Sequence, residues 1–124
     1  LVHTLAAFEG LLSRQLLLEL SVQRLVCGQL LPYCRAAGSD LPLAVSRVEA
    51  AAGGLHPEWF AGGPSSVPAA APLMDLLGGM CRALEAQRGD SSKAGLAARL
   101  ARVLATVGDG QRAQRLASAF GLQL

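Results

Sequence analysis

Residues 11–31 read LLSRQLLLELSVQRLVCGQLL. Within and just before this stretch, Leu5, Phe8, Leu11, Leu12, Leu16, Leu18, Val22, Leu25, Val26 and Leu30 recur at steps of three and four, which is the period of an α-helix and not of a strand. Placed around a helical wheel, these residues cover more than half the circumference. The polar remainder is a narrow strip of Ser13, Arg14, Ser21, Arg24 and Gly28, and Leu17 points into that strip. An ordinary surface helix carries a narrower apolar stripe. A helix this oily is expected either at the centre of a bundle or partly covered by a partner. It does not read as a membrane span, because Arg14, Gln15, Glu19, Gln23 and Arg24 interrupt the roughly 20 apolar residues a span requires. Gly10 marks a kink or short break near its start, and Pro32, which has no backbone donor, should end or bend the regular helix near Leu31.

Four further helices follow by the same reasoning. The turn Gly38-Ser39-Asp40 leads into a second helix, with Asp40 as cap and Pro42 in the first turn. Leu43, Val45 and Val48 continue it until Gly53-Gly54. The segment from Leu55 to Pro72 holds four prolines and two glycines and reads as a long loop, of the kind that is functional or disordered. A third helix runs from about Ala70 or Pro72 to Arg88, with Leu73, Leu76, Leu77, Met80 and Leu84 on one face. The pair Gly78-Gly79 in its middle predicts close approach of another backbone, or a hinge. A fourth, about 92–107, is capped by Asp90, Ser91 or Ser92 and aligns Leu96, Leu100, Val103, Leu104 and Val107. A fifth, about 110–120, turns Ala113, Leu116, Ala117 and Phe120 inward. The short turn Gly108-Asp109-Gly110 predicts an antiparallel helical hairpin. No alternating β-branched run occurs, so the fold class is all-α, a compact bundle of about five helices with one long Pro/Gly-rich loop.

Composition sharpens the reading. Of 124 residues, 52% are apolar and only 16% charged, where soluble domains run at about 25% charged. One domain spanning residues 1–124 is expected. The first residue is Leu1 and not methionine, so the chain is read as a fragment of a larger protein. No basic segment precedes an apolar run at the start, so no signal peptide is read. The three cysteines, Cys27, Cys34 and Cys81, form no C-x-x-C pair. Cys27 and Cys34 stand about 10 Å apart along one helix, so all three are expected to be buried free thiols in an intracellular protein of the cytoplasm or nucleus. Net charge is +2, and the excess of base lies after Arg82.

No signature of catalysis, metal or cofactor is present. His3 and His56 lack partners at ligand spacing, no G-x-S-x-G elbow occurs, and the glycine pairs lack the context of a phosphate loop. A pairing of Cys27 or Cys34 with His56 depends on the fold and cannot be read from spacing. Catalytic, metal and cofactor residues are therefore expected to be none. The sequence predicts a non-enzymatic interaction and scaffolding domain that buries an apolar helical surface against another protein chain, in a homo- or hetero-oligomer. Its contact residues are expected to be Leu17, Trp59, Phe60, Gly78 and Gly79. Trp59-Phe60 has two readings, an anchor onto the domain's own core or a hot spot for a partner. Glu19, on the broad apolar face, is expected to pair with Arg99 or Arg102, or else to lie at the rim of the partner interface. The alternative function is nucleic-acid binding by the basic C-terminal hairpin, with Arg99, Arg102, Arg112 and Arg115 as phosphate contacts.

Overall fold

A computed structural model of the chain describes residue 14 and residues 16–63 and 67–122. All the regular structure among them is helical: the chain is an all-α bundle. Pro32 does not end the first helix. Helix α1 is α-helical over residues 16–25, widens into a π-turn at Val26–Leu30, and resumes over Leu31–Arg35. The proline ring would collide with the carbonyl four residues back, that of Gly28. One turn of π-helix relieves this, with Leu31 N–H donating to Val26 O five residues earlier. The ladder is re-established beyond it, where Ala36 N–H donates to Pro32 O at 3.1 Å.

Helix α2 spans Leu41–Ala52 and starts as the sequence predicts. Asp40 Oδ1 accepts from Leu43 N–H at 3.1 Å, and Pro42 sits in the first turn. The helix gives way at Gly53, where Gly53 and Gly54 N–H donate three residues back to Ala50 and Ala51. The Pro/Gly-rich segment is less loop-like than expected. It forms two short 3-10 turns, Pro57–Phe60 and Pro68–Ala70, and buries Leu55, Phe60, Val67 and Ala70. Helix α3 is Ala71–Glu85, ending three residues before the predicted Arg88. A 3-10 turn at Ser91–Lys93, capped by Asp90, leads into helix α4, Ala94–Thr106.

The connection from α4 to helix α5, Gly110–Ala119, uses only three residues. Gly108 takes a left-handed φ of 80°, Asp109 N–H donates to Leu104 O at 2.9 Å, and Gly108 N–H donates to Ala105 O at 3.1 Å. That is the Schellman closure of a helix. Asp109 then turns its own carboxylate onto Arg112 N–H at 3.2 Å and so starts the next helix. α4 packs against α5 and α2, α5 against α3, and α2 against α1. The buried side chains form one core around Leu77, Leu84, Leu100, Leu104 and Leu116, into which α1 inserts Val22 and Val26.

Candidate interaction surface

Large apolar side chains left in solvent are concentrated on α1. Leu16, Leu17 and Leu20 are 61%, 63% and 52% exposed. Leu17 matches its predicted place in the polar strip, while Leu16, expected inward, does not. The core contacts α1 along the arc of Val22, Val26 and Leu30; on the wheel Leu17 and Leu20 fall on the side away from Val22 and Val26, whereas Leu16 lies nearer this arc and stands in the helix ahead of Val22, the first buried residue among those described. Leu18 and Leu25, at the edges of the buried arc, pack partly against the core. Leu17, Leu20, Ser21, Arg24, Leu25 and Gln29 line a shallow groove of about 420 Å³ along this helix. Two other exposed apolar residues lie apart from this cluster. Tyr33 is covered on one ring face by the Arg47 guanidinium, 4.8 Å from its centroid, and Leu43 stands in the first turn of α2.

The other predicted contact residues are drawn into the domain itself. Phe60 is 2% exposed, so of its two readings the internal anchor is the observed one. Its carbonyl faces Gly108 so closely that a Cβ there would lie 2.7 Å from Phe60 O. Trp59 is half-buried against the core and meets the His56 ring edge-on, at 4.6 Å between centroids. Gly78 is approached not by a backbone but by a side chain: a Cβ at this position would lie 3.0 Å from Arg112 Nη1. Gly79 is half-buried and opens onto a separate groove of about 520 Å³, floored by Leu41, Leu76, Met80 and Ala83. Leu17 and Gly79 thus line different grooves, and the five predicted positions form no common surface.

Three of the four predicted phosphate contacts are engaged within the fold. Arg99 on α4 clamps Glu49 on α2, with Nε donating at 3.0 and 3.1 Å and Nη2 at 2.6 Å, and Nη2 also donates to Ser46 Oγ at 3.0 Å. This hydrogen bonding holds the Glu49 carboxyl below its usual pKa. Arg112 donates to Met74 O at 3.1 Å and lies 3.4 Å from Asp109, the only buried charged residue among those described. Arg115 Nε donates to Glu85 Oε1 at 2.9 Å. Arg102 remains exposed. Glu19 pairs with none of these arginines. Its Oε2 accepts from Ala69 N–H at 3.0 Å, tying α1 to the 3-10 turn that precedes α3.

The cysteines divide. Cys34 and Cys81 are buried, while Cys27 is exposed, contrary to expectation. Burial raises the Cys34 thiol pKa and pushes that of Cys81 up to about 11. His3 lies outside the described residues. His56 is exposed, 3.6 Å from Glu58. Among the described residues no three His, Cys, Asp or Glu side chains converge to hold a metal ion. A cleft of about 650 Å³ between α3 and the start of α5 is edged by Asp109, Arg112 and Arg115, which satisfy one another or nearby groups. No described helix is long and apolar enough to cross a membrane. No protein-family model matches the chain, and comparison with curated proteins and with solved structures finds no match either.

Proposed function

We propose that the chain is a non-enzymatic protein–protein interaction domain whose α1 docks by its outer face onto another chain. The observation that carries this reading is the run of Leu16, Leu17 and Leu20, each more than half exposed on consecutive turns of one helix. Single exposed leucines are ordinary, whereas a contiguous cluster marks an interaction site. Burying such a cluster is favourable at about 25 cal/mol per Å² of apolar surface, offset by the entropy of association. The nucleic-acid reading has no comparable support, because Arg99, Arg112 and Arg115 are held by Glu49, Asp109 with Met74 O, and Glu85.

The test is a Leu17→Asp/Leu20→Asp double variant. Neither side chain contributes to the core, so the variant should melt with the wild type. Wild-type protein at high concentration, in salt that screens surface charge, should scatter light as associating species, and the variant should not. A wild type that stays a sharp monomer under those conditions, scattering no more than the variant, overturns the reading.

A further inference from the structure

The exposed leucines of α1 are bracketed by positive charge. Arg14 and Arg24 are both exposed, and neither has a hydrogen bond or ion pair to any described residue. At about 100° per residue, Arg24 falls between Leu20 and Leu17 on the wheel, and Arg14 falls just beyond Leu17. Arg24 also lines the same groove as Leu17 and Leu20. The two arginines are separated by about 15 Å along the axis, with the leucines between them. The one carboxylate among the described α1 residues, Glu19, is turned to Ala69 N–H and does not offset them. Among the described residues of α1, the face is therefore apolar at its centre and cationic at both ends, with no anion on it.

That pattern decides between occupants. A second copy of the chain fits poorly. Antiparallel pairing centred on the leucines sets Arg14 of one copy beside Arg24 of the other, and parallel pairing sets each arginine on its equivalent. Both bring like charges together. A lipid surface calls for a long apolar face with a polar face rich in Lys and Arg, and past Leu20 this face turns to Ser21, Gln23, Arg24 and Gly28. Three leucines also fall well short of the roughly 800 Å² that each partner buries in a stable interface, so the charged flanks must take part in it. Building on the docking role of α1 argued above, we infer that its outer face receives an amphipathic helix of another protein, with apolar residues at steps of three and four set between two carboxylates about ten residues apart.

The probe is a synthetic helical peptide about 18 residues long, with leucines at steps of three and four and glutamates ten residues apart, and a twin with lysine at the glutamate positions. Each carries a dye, and binding to the whole chain is read by fluorescence anisotropy at about 50 mM and about 500 mM salt. The acidic peptide should bind roughly tenfold more tightly than its twin at low salt, with the gap closing at high salt. Arg14→Glu/Arg24→Glu, at two exposed positions, should melt with the wild type and reverse the preference. Equal binding of the two peptides at low salt, or binding of neither, overturns the inference. So does dimerisation through this face by sedimentation at about 50 mM salt, where the arginines are unscreened, or binding to phosphatidylserine vesicles unaffected by the acidic peptide. If the leucine double variant abolishes association while the peptides show no charge preference, the docking role stands and the acidic partner falls.

Discussion

An added methyl at Gly78 would lie 3.0 Å from Arg112 Nη1, whereas at Gly79, one residue on, the nearest such atom is Arg82 Nη2 at 3.9 Å. Alanine in a helix interior is favoured over glycine by about 1 kcal/mol. At Gly79 nothing opposes that gain, so Gly79→Ala should raise the unfolding free energy by about 0.5–1 kcal/mol. At Gly78 the guanidinium must move and weaken its bond to Met74 O, a loss of about 1 kcal/mol that cancels the gain. Urea denaturation of the two variants checks this, and equal gains would mean that Arg112 is not held where the structure places it. The glycine pair was legible in the sequence as a site of close approach. That the approaching group is an arginine from α5 was not, because nothing in the spacing relates positions 78 and 112. The cysteines are a second case. Spacing predicted free thiols, but not that Cys27 alone faces solvent. At neutral pH one thiol per chain, Cys27, should react quickly with a maleimide, and Cys34 and Cys81 only after denaturant is added. Mass spectrometry with peptide mapping reads this directly, and fast labelling of Cys81 would contradict its burial.

At the scale of the helices, starts were more legible than interruptions. Local chemistry alone singles out Asp40 as a cap and offers Asp90 beside Ser91 and Ser92 for α4, and both aspartate side chains accept a backbone N–H as caps do. The π-turn before Pro32 was missed. The sequence shows that the proline disturbs the ladder, but whether the helix stops or widens depends on whether burial on both sides rewards continuing it. Here Leu31 and Cys34, beyond the π-turn, are buried, as is Val22 before it, so the helix is worth resuming. Asp109 shows how context raises the value of a cap. It starts α5, contacts Arg112, and sits inside the Schellman turn that ends α4. Asp40, in contrast, caps α2 in solvent. Asp40→Ala should cost about 1 kcal/mol and Asp109→Ala about 2 kcal/mol, because the second also leaves a half-buried arginine without its carboxylate. Matching losses in chemical denaturation would show that the buried contact adds nothing to the cap.

For the molecule as a whole, composition predicted more oil than a small body can hide, and among the described residues the bundle hides most of it. The reason lies in the alanines. Ala44, Ala70, Ala97, Ala101, Ala113 and Ala117 are buried, and small residues at helix contacts let the helices approach closely around the leucines. A count of apolar residues cannot distinguish alanine that shrinks a core from leucine that overfills it, which is why the exposed surplus among the described residues is concentrated on one helix. The low charge content has a separate consequence for pH. With few ion pairs to share the work, acid sensitivity should depend on individual bridges, and the best formed among the described residues is Glu49–Arg99, joining α2 to α4 across 50 residues of sequence. The Glu49 carboxyl is held below its ordinary pKa by the hydrogen bonds from Arg99. Its stabilising contribution is therefore complete above the unfolded value, about 4.3, and is lost as pH falls through the lower folded value. Glu49→Gln should leave an unfolding temperature at pH 7 somewhat below that of the wild type, and the two curves should converge as pH falls from about 5 to 3. Both partners are partly exposed, so salt near 1 M should shrink the neutral-pH gap. A gap that persists undiminished at pH 3 would show that the glutamate acts through packing and not through its charge.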